Sequence, residues 1–289
     1  MNYAKLYDKY LNLFNTELDK CILSIKDKPS ILKDAMVYAI SGGGKRIRPV
    51  LCYAVAEILG LDCSTVNEFA VAIELIHSYS LVHDDLPAMD NDDYRRGKLS
   101  THKKFGEAYG ILAGDALLNY AHEYCLSKKD FSIKDAEALR LLSEYAGYSG
   151  MIAGQVYDMQ YEKRAMIKEA ELYEVYNKTY KLITAPLLIA SILAGNKYYE
   201  ELKEFGFHLG SMFQIVDDIM DVEGDLALIG KTPHKDMEVD KLTSIKVFGL
   251  DGARKKAEYH YNLGKMILNK IQNSDFLSAF NDAMYIRKK

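Results

Sequence analysis

Cysteine and proline are scarce in this sequence, and neither is clustered. The four cysteines, Cys21, Cys52, Cys63 and Cys125, form no C-x-x-C pair. That spacing excludes a disulfide-stapled small domain and leaves reduced thiols in a cytoplasmic protein as the simplest account. No His/Cys set stands at zinc spacing, so a zinc site is not expected. Five prolines in 289 residues are too few for a chain of many Pro-marked turns. Period-two alternation and Asn-Gly hairpin signals are missing, so strands are not expected. No apolar run reaches the ~20 residues of a membrane span; the longest covers roughly Leu182 to Gly195. The N-terminal stretch MNYAKLYDKYLNLFNTELDK is charged throughout and lacks the apolar core of a signal peptide. A net charge of −4 lacks the basic excess of a protein that wraps nucleic acid. Neither an internal repeat nor a low-complexity linker divides the chain.

What remains is helical. Leu6, Tyr10, Leu13, Phe14, Leu18 and Ile22 recur at three- and four-residue steps, which predicts an amphipathic helix over residues 4–25. Pro29-Ser30 opens a second helix that stops at Gly42, Gly43 and Gly44. Pro49 starts a third, with Gly60 placed to end it. Residues 66–84 are apolar almost all round, the pattern of a helix buried on most sides. Further helical patterns cover 107–127, 134–150, 168–194, 198–222 and 251–271, the last with Asp251 placed as N-cap. The expectation is one all-α domain, a bundle of roughly ten or more helices spanning residues 1–289.

The chemistry is concentrated in residues 77–98, HSYSLVHDDLPAMDNDDYRRGK. Five carboxylates, Asp84, Asp85, Asp90, Asp92 and Asp93, crowd into ten residues and are followed by Arg95 and Arg96. A solvated acidic loop would be the simplest account of such a run on its own. A second cluster, Asp217, Asp218 and Asp221, changes the weighing. It closes another apolar helix, FQIVDDIMD, in which Asp217 and Asp221 share a face. Carboxylates there need a metal or basic partner, because unpaired buried charge costs several kcal/mol. Oxygen-only donors suit Mg²⁺, which combines one or two carboxylates with waters and phosphate oxygens.

Cations suited to phosphate accompany them. Gly42-Gly43-Gly44-Lys45-Arg46-Ile47-Arg48-Pro49 sets a flexible backbone beside three positive charges at a helix start, where anions are favoured. Further lysines stand at Lys178, Lys231, Lys235 and Lys241. Two look-alikes fail. Gly224 lies one residue too far from Gly230-Lys231-Thr232 for a P-loop, which would also have to follow a strand. Tyr94 and Arg95 stand where an EF-hand needs a ligand and its turn glycine. Two acidic clusters and two basic groups suit a ligand set with diphosphates at two positions.

In this order the motifs resemble those of the trans-isoprenyl diphosphate synthases, the polyprenyl synthetase family, of bacterial farnesyl diphosphate synthase type. The resemblance runs from AMVYAISGGGKRIRP (35–49) through the acidic stretch, FGEAYGILAGDALL (105–118) and GMIAGQVYDM (150–159). It continues through NKTYKLI (177–183), FQIVDDIMDVEGD (213–225) and GKTPHKD (230–236) to the basic tail Arg287-Lys288-Lys289. It implies an all-helical prenyltransferase bundle with a central cavity, a homodimer, with isoprenyl diphosphates as ligands. Asp84, Asp85 and Asp90 match the first aspartate motif, and Asp217, Asp218 and Asp221 the second. Together they would hold about three Mg²⁺ ions against an allylic diphosphate. Arg95, Lys178, Lys231 and Lys241 match contacts to that diphosphate, and Lys45, Arg48, His77 and Arg96 match the isopentenyl diphosphate pocket. Thr179 and Gln214 match groups facing the allylic cation, and Gln155 and Asp158 a supporting pair. Many relatives carry Lys-Thr-Gly where this chain has Lys178-Thr179-Tyr180, so Tyr180 and Lys181 are expected to face away from the site. The basic tail is open between folding over the isopentenyl diphosphate and fraying. His83 is expected to be structural.

Such an enzyme would join isopentenyl diphosphate to dimethylallyl and geranyl diphosphates to give (2E,6E)-farnesyl diphosphate. Geranylgeranyl or geranyl diphosphate synthesis is the alternative within the family. A terpene cyclase would lack the second Asp-rich cluster and the Gly-Gly-Lys-x-x-Arg pocket. A non-catalytic regulatory subunit would tend to have lost an acidic cluster or a cation, and none is lost.

The resemblance also implies where product length is set, at Tyr79 and Ser80. Ser80 and Tyr79 lie four and five residues before Asp84, about 6–7.5 Å deeper along the helix. A growing prenyl tail meets them there. Tyr79→Ala should lengthen the product and Ser80→Phe should shorten it toward ten carbons, as read by gas chromatography after phosphatase treatment. Unchanged profiles in both variants would place the gauge on another wall.

Overall fold

The computed structural model describes residues 2–162, 164, 168–223 and 242–287. Helices α1 (Tyr3–Ser24), α2 (Ser30–Ile40) and α3 (Ile47–Ile58) are followed by a 3₁₀ turn (Cys63–Val66) and α4 (Asn67–Asp84). Then come a short hairpin (β1 Tyr94–Arg95, β2 Lys98–Leu99), α5 (Thr101–Phe105), α6 (Glu107–Leu126), α7 (Ile133–Ala146) and α8 (Met151–Tyr161). Helices α9 (Glu169–Leu193), α10 (Tyr199–Glu223), α11 (Ser244–Leu268) and α12 (Asp275–Ile286) complete the described fold. The all-α expectation holds.

Two helices form the centre. In α4 every residue from Phe69 to Ile76 is buried, which its all-round apolar pattern requires. The apolar run too short for a membrane becomes the buried second half of α9, Leu182 to Leu193. Helix α9 packs against α3, α7, α8 and α10, and α4 against α3 and α6. Backbones approach closely beside Lys178. A Cβ on Gly154 of α8 would fall 2.9 Å from the Lys178 Cα, and one on Gly210 of α10 would fall 2.5 Å from the Tyr180 Cα. Side chains larger than hydrogen at either position would push α9 away, so both glycines fix where Lys178 and Thr179 stand. Tyr180 packs on Phe207, and Lys181 lies 4.6 Å from the Tyr145 ring centre.

Several elements differ from the sequence reading. The hairpin, Tyr94 opposite Leu99 and Arg95 opposite Lys98, was not expected. Its turn residues Arg96 (φ 53°) and Gly97 (φ 74°) both adopt the left-handed conformation, so Arg-Gly does what Asn-Gly commonly does in such turns. Helices α5, α8 and α12 were not expected either, although α12 does carry an amphipathic stripe, Phe276, Leu277, Phe280 and Met284, that it buries. Helix α11 begins well before residue 251. Thr243 caps it by accepting from the Lys246 N–H at 3.3 Å, Gly249 kinks it, and Asp251 instead receives the Arg254 guanidinium at 3.1 Å.

A buried polar chain ties the last long helices together. The Tyr173 hydroxyl on α9 lies 2.8 Å from His260 Nε2 on α11, and His260 Nδ1 lies 2.8 Å from His208 Nδ1 on α10. Burial, then the His208 and Lys256 charges, pushes the His260 pKa down to about 3 from 6.5. The folded state therefore prefers neutral His260, and its contribution is fully present above pH 6.5 and is lost as pH falls toward 3. Over that window the Tm of the wild type should fall relative to that of a His260→Gln variant, as thermal unfolding at stepped pH would show. Parallel profiles would remove His260 from the acid response.

Candidate active site

The first acidic motif is assembled by local backbone bonds at the end of α4. The Asp90 N–H donates to the Asp84 carbonyl at 2.8 Å and the Asp92 N–H to the Asp85 carbonyl at 3.1 Å. Residues 85–92 thus fold back over the helix end, which brings the backbone of Asp90 to that of Asp84. A helix C-terminus disfavours negative charge, so a cation is required. Arg95, delivered by the hairpin, supplies it. Its Nε donates to Asp85 Oδ1 at 2.9 Å, its Nη2 donates to the same oxygen, and Nη2 also reaches Asp92 Oδ2 at 3.3 Å. Burial opposes the Arg95 charge, but Asp85, with Asp92 and Asp84, outweighs it and holds the guanidinium pKa up. Asp93 pairs with Lys103 at 2.8 Å.

On α10 the second motif divides. Asp217 is held by the Arg287 guanidinium, which also donates to the Phe213 carbonyl at 3.0 Å and lies 3.8 Å from the Phe213 ring centre. Asp221, one turn on, shares that face by its spacing. Asp218 turns inward. Its Oδ2 accepts from the Tyr176 hydroxyl at 2.9 Å, the Ser244 N–H at 2.7 Å and the Ser244 hydroxyl at 2.9 Å. Its Oδ1 accepts from Gln214 Nε2 at 3.0 Å. Burial raises its pKa to about 6 in spite of these donors.

Helix α9 bridges the two motifs. Thr179 Oγ1 donates to Gln214 Oε1 at 2.8 Å, so Thr179, Gln214 and Asp218 form one hydrogen-bonded row. Lys178 pairs with buried Asp158 of α8. Lys231 and Lys241 lie outside the described residues.

The second basic group is separate. Arg48 and His77 stand together, with Arg96 reaching the Gly43 carbonyl beside them and Lys45 exposed at the rim. Burial, then the charges of Arg48, Arg96, Arg46 and Arg95, drives the His77 pKa well below its usual value, so the ring is neutral at neutral pH. Burial pushes the Arg48 pKa down to about 10; nearby Glu74 opposes that fall and Arg96 adds to it.

Along α4 below the acidic motif, Tyr79 is buried edge-on to His83 with ring centres 5.8 Å apart. Ser80 is half-buried and donates to the His77 carbonyl at 2.9 Å. His83 lies 3.0 Å from the Ile111 carbonyl. Sequence reasoning missed the partners of the site residues: Tyr176 and Ser244 on Asp218, and Arg287 on Asp217. Arg287 carried the only signal, as part of a basic tail.

Among the described residues no three acidic, histidine or cysteine side chains converge closely enough to hold a metal ion alone. Magnesium does not need such a cage, since it keeps waters and takes phosphate oxygens beside one or two carboxylates. The donors are oxygen-only and lie beside phosphate-type cations, so the set fits magnesium delivered with a diphosphate.

The polyprenyl synthetase family model matches residues 29–282. The farnesyl diphosphate synthase of Micrococcus luteus is 43% identical over 248 residues, 85% of this chain and 84% of that protein. The farnesyl diphosphate synthase of Haemophilus influenzae is 39% identical over 280 residues, 95% of each chain. A solved Helicobacter pylori geranyltransferase, complexed with magnesium and isoprenyl diphosphate, superposes with a TM-score of 0.82 at 29% identity, covering 96% of each chain.

The Asp218 hydrogen bonds make a stability test. Asn retains one acceptor oxygen where Asp218 uses two, so Asp218→Asn should lose about 1–3 kcal/mol. Urea unfolding would show the loss, and a variant as stable as wild type would mean that these bonds are dispensable.

Proposed function

The chain belongs to the polyprenyl synthetase family, and we propose that it is a prenyltransferase that joins isopentenyl diphosphate head-to-tail to dimethylallyl and then geranyl diphosphate, yielding (2E,6E)-farnesyl diphosphate. The observation that carries the two-substrate reading is the division of two adjacent arginines. Arg95 turns to Asp85 in the first acidic motif, whereas Arg96 turns the other way, to the glycine turn beside Arg48 and His77. One hairpin therefore serves two anion pockets.

In this reading Arg95 and Lys178, with Lys231 and Lys241, bind the allylic diphosphate. Lys45, Arg48, His77 and Arg96 bind the isopentenyl diphosphate. Asp84, Asp85 and Asp90 with Asp217, Asp218 and Asp221 are the magnesium ligands, and Asp218 also accepts from Gln214. Magnesium, ~3 ions by family likeness, would supply neutralising charge for the departing diphosphate. The guanidinium and ammonium groups are fixed before reaction, so they stabilise developing negative charge with little reorganisation. Across the pocket the oxygens of Thr179 and Gln214 face the positive charge left on the allylic carbon. The two basic pockets hold the reacting carbons ~3–3.5 Å apart. The buried wall of α4, Tyr79 included, keeps water from the cation. The last proton can pass to the diphosphate, which explains why the site needs no Ser/His or Cys/His pair.

We also place the protein in the cytoplasm as a homodimer. Among the described residues no helix is long and apolar enough to cross a membrane. The exposed row Ile152, Val156 and Met159 along α8 suits a protein partner.

Incubation with isopentenyl diphosphate, geranyl diphosphate and Mg²⁺ should give a fifteen-carbon diphosphate, and EDTA should abolish it. Arg95→Gln should raise KM for geranyl diphosphate at least ~tenfold and Arg96→Gln that for isopentenyl diphosphate, each sparing the other substrate. No product despite binding of both substrates would overturn the enzymatic reading. Two variants impaired toward the same substrate would overturn the division.

A further inference from the structure

The basic turn between α2 and α3 is held from below by residues that the catalytic reading leaves unused. Arg46 caps α3 in the left-handed conformation, φ 51° and ψ 38°, which is uncommon for a residue with a side chain. Its guanidinium points into the protein rather than toward the pocket. Nη1 donates to Glu74 Oε1 at 2.6 Å and Nη2 to the Ile40 carbonyl at 2.5 Å. Both members of the pair are buried, Arg46 to 7% exposure and Glu74 to 2%. The other Glu74 oxygen, Oε2, is buried without a hydrogen bond, as is Arg48 Nε. From α1 the Tyr7 hydroxyl donates to the Lys45 carbonyl, and the Tyr7 ring stacks on Phe280 of α12. Above the turn, Arg96 lies against Gly44 (φ 114°), where a Cβ would meet the guanidinium carbon at 2.6 Å.

Lys45 and Arg48 flank Arg46 in sequence, so whatever fixes the Arg46 backbone fixes where both point. The sign of the electrostatics separates placement from charge balance. Glu74 acts on Arg48 and Arg96 through its charge, and a carboxylate below an anion pocket repels an incoming diphosphate. Any benefit of Glu74 to binding must therefore come through geometry. Buried ion pairs are poor sources of net stability, and setting register is their best-attested use.

We propose that Glu74, Arg46 and Tyr7 are positioning residues for the isopentenyl diphosphate pocket. The Glu74–Arg46 pair pins the left-handed turn and Tyr7 holds the Lys45 carbonyl, so Lys45, Arg48 and Arg96 are set before that substrate arrives. This rests on the assignment of Lys45, Arg48, His77 and Arg96 to isopentenyl diphosphate.

The test is steady-state kinetics on the full chain, with equilibrium binding of isopentenyl diphosphate. The variants are Glu74→Gln, Tyr7→Phe and the double variant Arg46→Met/Glu74→Leu, with Arg48→Gln as reference. Glu74→Gln and the double variant should raise KM and Kd for isopentenyl diphosphate about tenfold, and Tyr7→Phe about threefold, with kcat and the geranyl diphosphate KM within about twofold of wild type. Unchanged or tighter binding by Glu74→Gln overturns the proposal, as does a double variant that binds like wild type, because charge alone would then decide. Equal losses toward both substrates overturn it in favour of general destabilisation. If the Glu74 variants do not fold, Tyr7→Phe decides: an unchanged KM overturns the proposal. An Arg48→Gln variant with wild-type KM removes the pocket assignment itself; an impaired Arg48→Gln beside unaffected Glu74→Gln and Tyr7→Phe overturns only the positioning role.

Discussion

Carboxylates cannot sit at the ends of packed helices unless something positive or hydrogen-donating meets them, and the site is arranged around that requirement. Arg95 meets Asp85, Arg287 meets Asp217, Lys178 meets Asp158, and four donors surround Asp218. These cations are of the kind that would grip a diphosphate. A metal–diphosphate unit would therefore exchange partners already in place, giving the carboxylates metal ions and the guanidinium groups phosphate oxygens, so charge stays balanced throughout.

That exchange demands a rigid frame. Helix α9 provides it, wedged between α8 and α10 by backbone contacts that Gly154 and Gly210 permit. With α9 fixed, Thr179 can join Gln214, and Gln214 can join Asp218, in a row whose last member is anchored by Tyr176 and Ser244. The Thr179 hydroxyl and the Gln214 amide thus take their orientation from a buried carboxylate. Asp218 is the member of its motif that four donors hold inward.

How much of this was legible in the sequence depended on range. The apolar pattern of α4, the second acidic motif and the glycine turn with its cations are local signals, and each stood where the pattern put it. The family likeness then supplied roles that spacing alone left open. The hairpin escaped because its left-handed turn is written Arg-Gly. The partners of Asp217, Asp218 and Arg46 escaped because Arg287 lies 70 residues from the first, Ser244 and Tyr176 lie 26 and 42 from the second, and Glu74 lies 28 from the third, and no periodicity links such positions. Asp92 and Asp93, given no role by their motif, did find the neighbouring cations Arg95 and Lys103.

The peptide bond between Arg95 and Arg96 is planar and stiff, and its two side chains turn to different partners, Asp85 and the Gly43 carbonyl. The turn is therefore held by a side chain on either side of one rigid peptide unit. A side chain placed at Gly97 (φ 74°) would strain this turn and disturb both contacts at once.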